Sequence, residues 1–350
     1  MNKSALSPLD EPRMSEEMGR VGLTRARLAA RLASPEFSIF ALAAAAFGLF
    51  ALLTQGFDSP FNLFSLARSA AVNILIGLAM MSVIVSGGLD LSVGAIGVCA
   101  SMASGAAMQL LGWPVAPAVI VALLVGAALG FLNGQIIARS GLHSFVVTLG
   151  TMSLFFGGMI ILTRGQPFDS LPDAFSDPMR WRIGRWLSPM LPLTFVVAAA
   201  LAYLYRLTDL GRGMLAVGAN SQAALLSGIS VRRMITLSHA LAGLLAALAA
   251  TLLAMRNGAA ITSMAGDLGQ DWLLPGFLAP ILGGTALEGG RVAVWGTVFA
   301  ALLVTIINSG LLLLHVGDFW VQFFLGVLLL SAVLIDHLRK HLLAKRRPSA

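Results

Sequence analysis

Residues 70–94, "AAVNILIGLAMMSVIVSGGLDLSVG", join a long apolar run to a glycine-rich turn that carries one carboxylate. Asp90 is the only acidic residue between Asp58 and Asp169. The run from 70 to 86 is long enough to cross a bilayer as a helix, and a second apolar run begins at residue 91. Apolar runs separated by short turns of this kind predict an all-α, polytopic integral membrane protein.

The composition of the whole chain supports the same class. Hydrophobic residues make up 57% of 350 residues and charged residues 11%, whereas a soluble domain carries about 25% charged residues. The net charge is +7, and the mean hydropathy is +0.86. Because the basic residues lie in the termini and in short connections, they indicate membrane topology rather than nucleic-acid binding. Cys99 is the single cysteine, so no disulfide can form within the chain.

The apolar runs divide the chain into about ten predicted transmembrane helices. We place them near residues 37–55, 70–86, 91–111, 115–137, 144–163, 190–207, 234–254, 272–285, 292–312 and 319–336. Ten spans put both termini on one side, and 17 of the 23 basic residues then lie on that side. The positive-inside rule therefore predicts that the N terminus and the C terminus are both cytoplasmic.

These spans define the expected domain organisation. Residues 1–35 are a cytoplasmic polar tail, 36–336 form the transmembrane domain, and 337–350 form a basic cytoplasmic tail. Within the domain, the largest cytoplasmic connection is 206–233, and a periplasmic loop covers 164–189. No apolar run precedes residue 37, so we expect the first helix to remain uncleaved.

The sequence lacks the motifs of several enzyme classes. It contains no Gly-x-x-x-x-Gly-Lys-Ser/Thr loop for ATP phosphates and no His-Glu-x-x-His zinc motif. Asp90 has no second aspartate in another predicted span, which an intramembrane aspartyl protease would require. We therefore predict that the chain is not an enzyme and contains no metal site.

Asp90 itself allows two interpretations. In the first, Gly87 and Gly88 end one helix and Asp90, at the membrane edge, accepts hydrogen bonds from N–H groups that begin the next. In the second, the carboxylate belongs to a substrate pathway or a gate. The same two interpretations, structural turn or pathway, apply to the neighbouring and the similar downstream residues Ser92, Gly94, Gly283, Gly284, Gly289 and Gly290.

Five ordered motifs resemble those of one family. They are "VIVSGGLDLSVGAIG" (83–97), "VVTLGTMSLFFGG" (146–158), "GRGMLAVGANSQAALLSGISV" (211–231), "LGGTALEGG" (282–290) and "WGTVFAALLVTIINSGL" (295–311). From about residue 40 to 336 the chain resembles the permease subunit of bacterial ATP-binding-cassette (ABC) importers for ribose and related monosaccharides. It departs from the family's pattern at 272–280, which leaves the sugar or polyol open.

The resemblance implies a location, partners and functional residues. The protein would lie in the bacterial inner membrane with a second permease subunit, identical or homologous. A separate cytoplasmic ATPase would bind ATP and Mg²⁺, and a periplasmic sugar-binding protein would deliver substrate, so this chain itself would hold no cofactor. The family's ATPase-coupling segment maps onto 206–233, with Gly218, Asn220, Ala223, Ala224, Ser227, Gly228 and Ile229 in the matching positions. Within it we expect a short helix that is capped by Ser221 and that presents Ala223, Ala224 and Leu225 to the ATPase.

Two other functions remain as alternatives. An ion-coupled secondary transporter would usually keep ionisable residues inside its spans, and the predicted spans are almost free of acidic residues. A membrane scaffold without transport activity is the third possibility. Co-purification of an ATPase would distinguish these three classes.

Overall fold

The computed structural model describes residues 35–184 and 186–345 of the chain. The predicted N-terminal tail up to residue 34 and the last five residues lie outside the described residues. Within the described ranges the chain is helical, and its only extended pairs are three isolated bridges. The prediction of an all-α protein is therefore confirmed for this part of the chain.

Thirteen α-helices and one short 3₁₀ helix make up the described fold. Seven of the α-helices are long and apolar enough to cross a membrane: α1, α2, α4, α5, α7, α10 and α12. α3 and residues 319–331 of α13 are shorter apolar stretches. The helices are α1 Pro35–Leu53, α2 Pro60–Ile84, α3 Val93–Gln109, α4 Val115–Ser140, α5 Ser144–Thr163, α6 Asp173–Arg180, α7 Met190–Leu207, α8 Asp209–Ala219, α9 Ser221–Leu226, α10 Val231–Asn257, α11 Leu273–Leu282, α12 Val294–Leu313 and α13 Asp318–Lys345.

Helix α2 begins ten residues before the predicted start at residue 70. The cause is Arg68, which interrupts the apolar run in the sequence but is accommodated in the fold. Its Nη2 donates to the backbone carbonyl of Arg256 at 3.0 Å, and its guanidinium lies 5.4 Å from the centre of the Phe64 ring. The Oγ of Ser59 caps the first turn. The last helix likewise extends past 336 to Lys345, so most of the predicted C-terminal tail continues α13.

The core of the described fold is built around α2 and α10. Nearly every residue from Ala70 to Val85 is buried, and α10 packs against α2, α3 and α4. α1 and α5 are mostly exposed apolar helices, as expected for helices that face lipid. The two central helices therefore carry the connections that bring the candidate functional residues together.

The eighth predicted helix, 272–285, is not a regular span. Residues 258–272, which end in a 3₁₀ helix over Asp267–Trp272, run antiparallel to α3. Ala260 lies beside Gly105, and Gly269 lies beside Gly94, a course of about 16 Å along α3. The chain then turns into α11, which has only 10 residues and contains Pro280. Such irregular backbone is tolerated at membrane depth where protein or a water-filled cavity surrounds it.

Candidate functional site

The connection between α7 and α10 folds into two short helices, α8 and α9. The Oγ1 of Thr208 accepts from the N–H of Gly211 at 3.1 Å and caps α8. The Oδ1 of Asn220 accepts from the N–H of Ala223 at 2.9 Å and caps α9. The short helix was predicted correctly, but its cap is Asn220 and not Ser221. Both residue types cap well, and the extended backbone of Asn220 places its side chain over the first turn.

Helix α9 divides its side chains between the fold and the surface. Ala224 is 4% exposed and faces the protein, whereas Leu226 is 90% exposed and Leu225 and Ala223 are also exposed. The expectation that Ala224 faces a partner is therefore wrong. The end of α9 is fixed by Ser227, whose Oγ donates to the Ala223 carbonyl at 2.9 Å. The N–H of Ile229 donates to the Ala224 carbonyl at 3.0 Å, across Gly228 at a φ of +80°.

Three backbone segments meet without intervening side chains at the end of α2. The N–H of Gly290 donates to the carbonyl of Val85 at 3.0 Å. A β-carbon on Gly218 would overlap that carbonyl oxygen and would lie 2.6 Å from the amide nitrogen of Gly290. One on Gly289 would lie 2.8 Å from the amide nitrogen of Gly87. We call residues 85–87, 218–219 and 288–290 the glycine junction.

The junction joins residues from two groups of motifs that lie far apart in the sequence. Gly218 comes from the predicted coupling segment, and the others come from the two glycine-rich turns. The predicted turn glycines divide into two sets. Gly87, Gly284, Gly289 and Gly290 have positive φ, as a turn requires. Gly88, Gly94 and Gly283 do not, and they allow close packing against the neighbours His239, Gly269 and Gly296.

Asp90 is fully buried within the protein. Its side chain is 0% exposed, so packed helices rather than solvent surround the carboxylate. Helix α3 begins at Val93, and Asp90 Oδ1 accepts from the N–H of Ser92 at 2.8 Å and from its Oγ at 2.6 Å. The carboxylate therefore accepts from the residue that precedes α3, rather than from an N–H of the helix itself as predicted. No described residue donates a hydrogen bond to Oδ2.

Polar side chains from distant helices hold the backbone around Asp90. Asn133 of α4 donates from Nδ2 to Ser92 Oγ at 2.7 Å. The hydroxyl oxygens of Ser144 and Thr148, at the start of α5, accept from the N–H groups of Leu89 and Leu91 at 2.9 and 3.1 Å. We did not identify these three residues from the sequence. Polar residues inside or beside an apolar span are the signal that could have identified them.

These contacts suit mechanical transmission better than bond chemistry. The described residues contain no group of three or more potential metal ligands. Because Gly218 of α8 packs directly against the backbone of Val85 and Gly290, a displacement of α8 would act on the end of α2 and on the turn before α12. Packed backbone of this kind shifts between discrete arrangements rather than deforming gradually.

Comparison with known proteins identifies relatives over most of the chain. The family described as branched-chain amino acid transport system / permease component matches residues 62–333. The ribose import permease protein RbsC of Bacillus subtilis is 37% identical over 287 residues, which cover 81% of this chain and 87% of the relative. The fructose import permease protein FrcC of Rhizobium meliloti is 32% identical over 305 residues, 85% of this chain and 83% of the relative.

A third kind of relative has a different named substrate. The autoinducer 2 import system permease protein LsrD of Salmonella choleraesuis is 34% identical over 284 residues. These residues cover 77% of this chain and 83% of that protein. No solved structure matches the chain.

Proposed function

The chain belongs to the family described as branched-chain amino acid transport system / permease component, and we propose that it forms the membrane path of an ABC importer for a monosaccharide or a related small polyol. The named relatives import ribose, fructose and autoinducer 2, and the first two of these are monosaccharides. As a permease subunit of such an importer, the chain is a multi-pass protein of the bacterial inner membrane.

One observation carries the proposal: Gly218 of the coupling segment lies against the two turns that end α2 and precede α12. An importer needs an element whose contacts change with the state of its ATPase. A partner that moves α9 would displace Gly218 and would therefore move Val85 and Gly290, which its backbone contacts. No catalytic group is needed in this chain, because ATP and Mg²⁺ would be bound by the separate ATPase.

The surface of α9 has the chemistry of a docking site for that ATPase. Leu225 and Leu226 are exposed at the end where the polar connections lie. Beside them a depression of about 540 Å³ is lined by residues of α4, α9 and α10: Ala138, Ser221, Gln222, Leu225, Ser230, Val231 and Arg232. Apolar side chains that project beside a polar depression favour a protein partner over lipid or solvent. The chain would leave the docked α9 in a direction set by Ser227, Gly228 and Ile229.

The topology follows if the irregular segment 258–272 and α11 together cross the membrane once. Added to α1–α5, α7, α10, α12 and α13, this crossing gives ten, with both termini and α9 on the cytoplasmic side. Loop 164–189 would then face the periplasm, where a sugar-binding protein would dock. A second permease subunit, either a copy of this chain or a homologue, would complete the transporter.

Reconstitution tests the proposal. The chain is placed in liposomes with a candidate ABC ATPase and a sugar-binding protein from the same genome, and uptake of radiolabelled D-ribose and D-fructose is measured. We expect uptake of one of these sugars that depends on ATP and on both partners, and no ATP hydrolysis by the chain alone. Leu226→Glu should abolish co-purification of the ATPase, whereas the buried neighbour substitution Ala224→Ser should not.

One observation favours the alternative of an ion-coupled secondary transporter. Asp90 is buried among helices, and no described residue donates to its Oδ2, as in a site that binds a coupling ion. The same liposomes distinguish the two functions. Uptake that is driven by a proton or sodium gradient in the absence of the ATPase would show that the chain is a secondary transporter and not an ABC importer subunit.

A further inference from the structure

The irregular segment 258–272 and α11 form what we call the broken crossing. A polar cavity of about 460 Å³ lies between it and the helices α2, α12 and α13. Such a volume is within the range of small-molecule sites, about 300–1,000 Å³. Half of its lining residues are amides or a carboxylate, namely Asn73, Gln270, Asp271, Asn308 and Gln322. None of these five residues belongs to the glycine junction or to the network around Asp90.

The cavity reaches into the apolar part of the helices. Asn73 is in the middle of α2, about 16 Å along the helix from its end at Ile84. Asn308 is about 21 Å along α12 from its start at Val294. The cavity is therefore displaced along both helices from the end where α9 and the junction lie. On the proposed topology it occupies the periplasmic half of the membrane.

The polar side chains of the cavity are largely unused by the fold. Asn73 Nδ2 donates to Thr305 Oγ1 at 2.9 Å. No described residue forms a hydrogen bond or ion pair with the side chains of Gln270, Asp271, Asn308 or Gln322, and all four residues are exposed. Facing lipid, such groups would be costly, so polar residues at this depth line a protein interior or a water-filled path.

The break in the crossing explains how Gln270 and Asp271 reach this depth. They end the 3₁₀ helix that descends beside α3, immediately before α11 begins. A continuous helix would have buried or paired its backbone groups within itself. The discontinuity instead places an amide and a carboxylate opposite Asn308 and Gln322 across the cavity. Membrane transporters commonly bind small solutes at discontinuous helices of this kind.

We propose that this cavity is a binding station for sugar hydroxyl groups on the import path, with Asn308, Asp271 and Gln322 as hydroxyl-binding residues. The inference rests on the proposed importer function and adds to it a site. Amides both donate and accept hydrogen bonds and a carboxylate accepts them, which matches a polyol that carries several hydroxyls. One anionic residue among four amides suits a neutral polyol better than an anionic solute.

Cysteine labelling in the complete transporter tests the proposal. The single native cysteine is first replaced, Cys99→Ser, which keeps a donor to the Phe155 carbonyl. Asn308→Cys and Gln322→Cys are then exposed to a membrane-impermeant charged thiosulfonate from the periplasmic side. The control is Ile120→Cys in α4, which is exposed on an apolar face of the chain and lies five residues from its helix end, as Asn308 does.

We expect both cavity cysteines to react, the control not to react, and modification of Asn308→Cys to block D-ribose uptake. Without any reagent, Asn308→Leu should lower uptake at subsaturating sugar about tenfold, the value of one lost hydrogen bond to substrate. Its abundance and its co-purification with the ATPase should be unchanged.

The outcomes separate this proposal from the one on which it rests. If the unmodified transporter imports no sugar with ATP, the importer function is wrong, and this proposal with it. If it imports sugar but the cavity cysteines do not react, or react without loss of uptake, only the cavity proposal is overturned. Normal uptake by Asn308→Leu would also overturn it.

Discussion

The C-terminal end of α2 and its middle make contacts of opposite kinds. At its C-terminal end, in the glycine junction, backbone contacts backbone and a β-carbon cannot be added at Gly218. Toward its middle, around Asn73, side chains surround a cavity, and four polar side chains form no hydrogen bond with a described residue. A contact without side chains transmits position, whereas a polar space admits a solute. The difference indicates that movements of the ATPase would act on one part of this protein and that substrate would bind at another.

The strongest test of this contrast is Gly218→Ala. The added methyl would overlap the Val85 carbonyl, and the backbone there cannot rotate away as a side chain could. We expect destabilisation at or above the upper end of the usual overpacking cost, about 1–3 kcal/mol. Thermal unfolding in detergent and sugar uptake measure the effect. The control is Gly157→Ala on α5, where no neighbour lies within 4 Å; equal stability of the two variants would show that the junction is not tightly packed.

Asp90, three residues beyond the junction, gives the second test. Asp90→Leu leaves the N–H and hydroxyl of Ser92 without their acceptor, which costs about 1–3 kcal/mol for buried donors. Asp90→Asn keeps an acceptor oxygen and should lose little stability. Unfolding temperature and abundance measure both variants. If Asp90→Asn is stable and abundant yet transports nothing, the charge itself is needed, and the structural role described here is insufficient.

A smaller effect is expected at the helix that would receive the force. Asn220→Ala removes the cap of α9 and should cost about 0.5–2 kcal/mol, seen as weaker ATPase binding. Ser221→Ala should change little, because Asn220 and not Ser221 accepts the Ala223 N–H. Affinity for the ATPase, measured on both variants in the same preparation, compares them. A larger loss of ATPase affinity in Ser221→Ala than in Asn220→Ala would show that Ser221 caps α9, as the sequence predicted.

The smallest predicted effect concerns the wall of the cavity. Thr305→Val removes the acceptor of the Asn73 amide and should cost about 0.5–1.5 kcal/mol, with a modest rise in the KM for sugar. Thr251→Val on α10 is the matched control, since its hydroxyl also donates within its helix and receives no side-chain amide. Michaelis parameters for uptake measure the pair. An equal rise in KM in both variants would show that the hydrogen bond of Asn73 does not contribute to sugar binding in the cavity.

The features that the sequence predicted are those that depend on nearby residues. Long apolar runs became α4, α5 and α12, because a helix must bury its backbone polar groups whatever it packs against. The start of α2 was missed because the partner of Arg68 lies 188 residues away, at Arg256. The burial of Asp90 was missed for the same reason, since Ser92, its hydrogen-bonding partner, is held by Asn133 on another helix.

The candidate site followed the same division. The short helix Ser221–Leu226 is set by local sequence and was predicted, whereas the face that Ala224 presents depends on packing and was not. Gly218 and Gly290 were each chosen from motifs, but their contact joins a helix to a turn 72 residues away. Asn308 and Gln270 were not predicted, because a single amide in an apolar run does not by itself indicate a site. The fold places both of them at one cavity.

The irregular course of 258–272 also constrains how the protein is assembled during synthesis. A segment without a continuous helix cannot enter hydrocarbon alone, because its free N–H and C=O groups would have no partners there. At this depth it needs cover from helices made before it, and α3 offers a groove formed by Gly94, Gly97 and Gly105. If this segment crosses the membrane as proposed, its insertion would depend on the small residues of α3, which is made about 150 residues earlier.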